Sequence, residues 1–275
     1  MITISNLSYT YKSGIRAVVD LNSSLGSGLY LLLGENGAGK TTLLHLLSGL
    51  LTPSTGSVII DGANVADRLP STLQNLFFLP DVMDIPSTTI RRFAEIHSPF
   101  YPSFSEEIFA ANLMEFGLTG NEPLVALSTG TRHKAVLAYI LSLGLKYLFL
   151  DEPANGLDIN SRKQLRAMLA RCMDEDTTVI VSTHTFSDFE ALFDGVMVIH
   201  SGRMVLNMMT SDIAARLLFG TSTVIPPEAI YFEQDLGTFH YIAPNCTGCD
   251  TDVDFGLLYS ALLSPAAPSI LSNLA

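Results

Sequence analysis

A chain of 275 residues that is 48% hydrophobic and only 15% charged carries enough apolar material for a large core, and it is not a disordered tail. Its formal net charge of −12 argues against a nucleic-acid backbone as its main partner. Three cysteines read as reduced thiols rather than a disulfide framework.

Residues 2 to 9 alternate loosely, with Ile2, Ile4 and Leu7 apolar, and predict a strand. The opening residues Met1 to Ser5 show neither the basic start nor the long apolar run of a secretion signal. Tyr11 follows, an aromatic whose plainest reading is an exposed strand residue. Ala17 to Leu21 predicts a second strand, and Gly26 and Gly28 turn the chain. Leu29-Tyr30-Leu31-Leu32-Leu33 is a short, continuous apolar run suited to a buried parallel strand.

Gly34-Glu35-Asn36-Gly37-Ala38-Gly39-Lys40-Thr41 then fits G-x-x-x-x-G-K-[ST], a loop that cradles phosphates. Leu43, Leu44, Leu46, Leu47 and Leu50 continue it at helical spacing. Strand, glycine loop and helix form the arrangement this chemistry requires. The glycines let successive N–H groups converge on phosphate oxygens, and the helix N-terminus adds positive potential. Lys40 is expected to reach the β- and γ-phosphates, and Thr41 to offer its hydroxyl to Mg2+.

Thr52 to Gly56 is a turn, and Ser57 to Gly62 a strand ending in a turn. Phe77-Phe78-Leu79 is an apolar strand broken at Pro80. Helical patterns follow, one through Ile90, Phe93, Ala94 and His97, another from Ser105 to Gly117. They predict a helical insert at about residues 84–145. Ser128 is a plausible N-cap for the next helix.

The longest apolar stretch, Ala135 to Leu150, is interrupted by Gly144 and Lys146 and is shorter than the ~20 residues of a membrane span. It reads as a buried helix and then a buried strand. That strand, Tyr147 to Leu150, ends in Asp151 and Glu152. An Asp there suits Mg2+, and the adjacent Glu could polarise water. Thr177 to His184 predicts another buried strand ending in a histidine, which on its own reads as structural. Val196 to Ile199 and Met204 to Leu206 predict the last strands. Residues 217–275 contain no Lys or Arg and six acids, so this tail is unsuited to nucleic acid or an anionic membrane. Cys246 and Cys249, near His240 and Asp250, make half a zinc site at most; a plain loop is the stronger reading.

Taken in order, these motifs resemble the ATP-binding cassette ATPases, the nucleotide-binding subunits of ABC transporters, over about residues 1 to 215. Gly34 to Thr42 resembles Walker A, and Tyr147 to Glu152 resembles Walker B with the catalytic glutamate after it. Leu127-Ser128-Thr129-Gly130 resembles the family signature, Asn155-Gly156-Leu157-Asp158 the D-loop, and His184 the switch histidine. Tyr11 sits where the base-stacking aromatic is expected. Two positions depart from the pattern: Asp81 stands in place of the Q-loop glutamine, and Thr131 in place of the signature glutamine. A carboxylate can ligate Mg2+ but loses the amide's donor.

The resemblance implies an α/β fold: a P-loop NTPase (RecA-like) core with an N-terminal antiparallel β subdomain and an inserted α-helical subdomain. It implies an ATPase domain at 1–216 and leaves 217–275 as an acidic extension. ATP would contact Tyr11, the loop residues Gly34, Glu35, Asn36, Gly37, Ala38, Gly39, Lys40, Thr41 and Thr42, and Ser128, Gly130 and Asp158. Mg2+ would be held by Thr41, Asp151 and Asp81. Lys40, Glu152 and His184 would carry catalysis. Two cassettes, identical or different, would pair head to tail and work with a separate membrane permease at the inner face of the cell membrane. The insert is most similar to the single-cassette ATPases of ABC-2-type exporters, with Phe100, Tyr101 and Phe104 expected to line the permease groove beside Asp81. The rival readings are a soluble cassette not coupled to transport and a cassette that binds ATP but barely hydrolyses it.

Overall fold

The computed structural model describes every residue except 84–85, 185–188, 247 and 249–250. The chain begins with antiparallel strands β1 (Ile2–Thr10) and β2 (Arg16–Leu25), and then β3 (Gly28–Leu33) and helix α1 (Lys40–Leu47). Strands β4 (Thr55–Ile60) and β5 (Ala63–Asn64), the short helix α2 (Pro70–Leu73) and strand β6 (Leu76–Leu79) follow. The insert contributes α3 (Ile90–His97), α4 (Glu106–Glu115) and α5 (Thr129–Ile140). The core resumes with β7 (Tyr147–Asp151), α6 (Ile159–Cys172), β8 (Thr178–Ser182), β9 (Gly195–His200), β10 (Arg203–Met209) and α7 (Thr210–Arg216). The last part holds β11 (Leu217–Ser222), β12 (Tyr231–Asp235), β13 (Thr238–Pro244), α8 (Phe255–Leu262) and α9 (Ala267–Leu274).

The central sheet has the order β10-β9-β3-β8-β7-β6. Its strands from β9 to β6 are mutually parallel, and β10 closes one edge antiparallel. Side chains alternate along each strand, so a strand buried on both faces feeds two cores. Leu29, Leu31 and Leu33 of β3 enter one cluster with Leu148, Leu150, Val179, Val181, Val196 and Val198. Tyr30 and Leu32 enter the other with Phe149, Ile180, Met197 and Ile199. Helix α1 covers the second face with Leu43, Leu44, Leu46 and Leu47, all buried, beneath the antiparallel sheet β2-β1-β4-β5. The insert helices cover the first face.

Local chemistry sets the insert's boundaries. Strand β6 stops at Leu79 because Pro80 has no N–H for the ladder. Thr89 caps α3 by accepting from Arg92 N–H, and Ser105 caps α4 by accepting from Ile108 N–H. Of the insert aromatics, Phe109 and Phe116 are buried, whereas Phe93, Tyr101 and Phe104 are half-buried against the core. Phe100 is 71% exposed.

Residues 217–275, to which the sequence pattern assigns no elements, form the antiparallel sheet β11-β13-β12 with α8 and α9. Leu217, Phe219, Phe255, Leu258 and Ile270 join the first core cluster, and the Phe255 ring packs edge-on against Phe193 with centroids 5.9 Å apart. Residues 217–275 are thus seated on the same core as the central sheet. Cys249 and Asp250 lie outside the described residues. Among those described, no single helix is long and apolar enough to cross a membrane, although the bent pair α8 and α9 passes on length and composition.

Candidate functional site

The phosphate-type loop connects β3 to α1 and bends where glycine alone is comfortable. Gly39 has φ +109°, and a Cβ there would lie 2.3 Å from the Ala17 carbonyl oxygen. Among the described residues no side chain caps α1, so its first N–H groups remain available to a ligand. Lys40 Nζ donates to the Gly34 carbonyl at 2.7 Å and to the Glu35 carbonyl at 3.2 Å. Its ammonium is thus folded over its own loop.

A cleft of about 590 Å3 opens above this loop, at the C-terminal ends of the parallel strands. The topological position is the usual one for ligands of open α/β sheets. Of the predicted residues, Tyr11, Glu35, Asn36, Gly37, Gly39, Lys40, Thr41, Thr42, Asp81, Asp151 and Glu152 line it. Tyr11 places its hydroxyl 2.9 Å from Thr42 Oγ1 and packs its ring edge-on against Tyr9. His45 also borders the cleft; burial lowers its pKa, partly offset by the charge of Asp151.

Asp151 is 95% buried at the end of β7. Thr41 Oγ1 donates to its Oδ2 at 2.5 Å, and Ser182 Oγ donates to its Oδ1. Glu152 follows with φ +50°, a left-handed conformation strained for a non-glycine residue. That turn takes its side chain out of the strand's alternation. Glu152 Oε1 lies 3.0 Å from His184 Nδ1, and Oε2 is buried with no hydrogen-bond partner among the described residues. A buried carboxylate oxygen left unpaired is costly and marks a place for a donor such as water. Hydroxyl and carboxylate oxygens are the donors a hard divalent cation prefers, so Thr41, Asp151 and Asp81 fit Mg2+ by chemistry. The glycine loop likewise fits a polyphosphate.

Gly34 and Ala38 lie behind the loop. A Cβ on Gly34 would meet the Ile199 carbonyl at 2.7 Å, and Ala38 is buried in the second core cluster. Ser128 and Gly130 stand at the start of α5, away from this cleft's lining. Ser128 caps that helix by accepting from Thr131 N–H. Gly130 presses on the D-loop, since a Cβ there would come within 2.4 Å of the Gly156 carbonyl. Asp158 caps α6 through Ser161 N–H and pairs with Lys134 at 3.3 Å. Those hydrogen bonds hold its carboxyl at a pKa of about 2, with Ser161 the main cause.

Sequence reasoning missed four partners. Ser182 holds Asp151, Lys134 pairs with Asp158, and His133 bonds the Pro153 carbonyl at 2.8 Å. Asn155 donates from Nδ2 to Asp81 Oδ1 at 2.8 Å. Buried Ser182 at a strand end and His133 on a helix were the available signals. Neither shows its partner in the sequence.

The family model described as ABC transporter matches residues 19–155. A Pyrococcus abyssi protein named as an ABC transporter ATP-binding protein is 30% identical over 247 residues, covering 86% of this chain and 94% of that one. The ABC transporter ATP-binding protein NatA of Bacillus subtilis is 30% identical, covering 74% of this chain and 88% of its own. Among solved structures, an ATP-binding subunit of an ABC transporter aligns with TM-score 0.70 and 23% identity, over 78% of this chain and 91% of that one. A dimeric ATP-binding cassette in a post-hydrolysis state with ADP and Pi aligns with TM-score 0.66 and 23% identity, over 76% of this chain and 98% of its own. The loop, the paired carboxylates and these likenesses agree: the chain belongs to the ATP-binding subunits of ABC transporters and is an ATPase of that family.

Proposed function

We propose that this subunit hydrolyses MgATP at the interface of two cassettes and drives a separate membrane permease. The observation that carries the chemistry is Glu152, with its Oε1 on His184 and its buried Oε2 unpaired, next to Asp151 and the glycine loop. Loop N–H groups and the α1 N-terminus hold phosphate oxygens. Lys40 exchanges its two loop carbonyls for the β- and γ-phosphates. Mg2+, when bound, neutralises phosphate charge as it develops; Thr41, Asp151 and Asp81 would hold it. Glu152 Oε2 accepts a hydrogen bond from the attacking water and orients it. His184 keeps Glu152 in place and faces the γ-phosphate. Tyr11 lies against the base.

Ser128 and Gly130 lie at a helix N-terminus outside the cleft lining of their own chain. A second cassette, packed head to tail, supplies that helix end to the γ-phosphate. We take 1–216 as the ATPase domain and 217–275 as an extension on it. The subunit is then cytoplasmic and peripheral, held at the inner membrane face by its permease, with no role for nucleic acid. NatA and the energy-coupling factor ATP-binding protein EcfA2 of Streptococcus pyogenes, 28% identical, bear names of transporter subunits.

Glu152→Gln tests this reading. It should retain ATP binding, lower turnover about 10²–10⁴-fold and trap a dimer with ATP. Turnover within a few-fold of wild type would remove Glu152 from the role and favour a different water-positioning group.

A further inference from the structure

We propose that Asn155 is a positioning residue for Asp81, tying that carboxylate to the turn that carries Glu152. The inference rests on the ATPase reading above and adds a residue to it. Asp81 Oδ1 accepts from Asn155 Nδ2 at 2.8 Å, although the two residues are 74 apart in the chain. Asn155 is itself anchored: its backbone N–H donates to the Glu152 carbonyl at 3.0 Å. Leu157 N–H then donates to the Ala154 carbonyl at 3.2 Å, which closes the turn. The turn rests on α5 at two points. His133 bonds the Pro153 carbonyl, and Gly130 abuts the Gly156 carbonyl. A displacement of Asp81 is therefore passed through one amide to a turn gripped by Glu152 on one side and the signature helix on the other.

The chemistry of the pair suits that role. Four carboxylates border the cleft, those of Glu35, Asp81, Asp151 and Glu152. A lysine beside Asp81 would lock it in an ion pair and cancel its charge. An amide orients the carboxylate without cancelling it, so Asp81 keeps its charge for a cation. Asp81 is exposed, where a hydrogen bond adds little to folding. The bond therefore orients rather than stabilises. Asp81, the departure from the Q-loop glutamine, thus has a partner within the same chain: its carboxylate accepts from the Asn155 amide.

The test is a double-mutant cycle with a binding readout. Melting is followed for the free protein, with ATP and EDTA, and with ATP and Mg2+. Asn155→Ala should leave the free protein and the ATP–EDTA protection unchanged. It should shrink the Mg2+-dependent increment and raise the Mg2+ needed for half-maximal hydrolysis about 10-fold, the usual size for losing an outer partner of a metal ligand. In an Asp81→Ala background, Asn155→Ala should change Mg2+ dependence less than about 2-fold. An unchanged Mg2+ response overturns the proposal, as does an effect of equal size in the Asp81→Ala background. Should the alanine variant lower the melting of the free protein, Asn155→Asp, of the same size, repeats the cycle. Its carboxylate faces Asp81 in place of a donor, and a wild-type Mg2+ response would overturn the proposal equally. Absence of any ATP-dependent protection in the wild type would instead sink the ATPase reading.

Discussion

Thr41 Oγ1 donates to Asp151 Oδ2 across 2.5 Å and joins the first turn of α1 to the end of β7. Ser182 takes the other carboxylate oxygen, so Asp151 is oriented from both sides before any ligand arrives. Burial strengthens this arrangement, because the surroundings of Asp151 are poor in water. Thr41→Val keeps the shape and removes the donor. It should weaken Mg2+-dependent hydrolysis about 10–100-fold, while Thr41→Ser stays near wild type. Mg2+ titrations of ATPase activity on the two variants check this.

His133 supplies a pH dependence with a definite sign. Its Nε2 lies 2.8 Å from the Pro153 carbonyl, which can only accept, so the proton sits on Nε2. Burial lowers its pKa below the ordinary value near 6.5, the main cause being desolvation; the Pro153 carbonyl and the charge of Asp81 pull the other way. With a lowered folded pKa, the unfolded chain binds more protons as pH falls through about 6.5, so stability is full above that value and declines below it. His133→Gln keeps a donor and cannot titrate. The stability gap between pH 7.5 and pH 5.5, measured by urea unfolding, should be larger in the wild type than in the variant. Equal gaps would assign the acid sensitivity to other groups.

Much of this architecture was legible for a physical reason. Strands buried on both faces, such as Leu29 to Leu33, need unbroken apolar runs, and such runs stand out. The loop from Gly34 to Thr41 and the pair Asp151–Glu152 were legible because their chemistry demands fixed types at fixed spacing. The tail was not. Strand β12 reads Tyr-Phe-Glu-Gln-Asp and is mostly exposed, so no alternation marks it. The links from Ser182 to Asp151, from His133 to Pro153 and from Asn155 to Asp81 were invisible for a different cause. Each joins residues 20 to 74 positions apart, and the pairing exists only once the chain is folded.

Two cysteines should differ sharply as nucleophiles. Cys172 closes α6, donates weakly to the Leu169 carbonyl at 3.1 Å, and burial pushes its pKa up to about 12. It borders a cleft of about 350 Å3 between α4 and α6, lined in part by Ile108, Leu148 and Met168. Cys246 is exposed. The thiolate is the reactive form, so the partly buried Cys172, held protonated, is the poorer nucleophile. Iodoacetamide at pH 8, read by peptide mass mapping, should label Cys246 at least about 10-fold faster than Cys172. Denaturant should erase the difference for Cys172. Rapid native labelling of Cys172 would mean that the α4–α6 contact opens readily.

The insert aromatics separate into packing residues and one free surface residue. Tyr101 packs near Phe77 with ring centroids 6.0 Å apart, and burial raises its pKa. Phe104 lies 5.9 Å from the Tyr139 ring and 6.0 Å from Phe109. Replacing either with serine removes ring contacts from a half-buried site and leaves a gap, so Tyr101→Ser and Phe104→Ser should each cost about 2–4 kcal/mol of stability. Phe100, by contrast, is 71% exposed and has no ring contact among the described residues. Phe100→Ser should leave the melting temperature within about 2 °C of wild type, since a surface change typically costs under about 0.5 kcal/mol. Of the three, Phe100 is therefore the residue free to meet a permease. An exposed aromatic of this kind marks an interface when a partner's helix has an apolar face to receive it. Co-purification with the cognate membrane subunit should fall for Phe100→Ser while ATP protection of the isolated cassette stays unchanged. Full co-purification would remove Phe100 as a permease contact, and a large loss of stability would move it into the packing group.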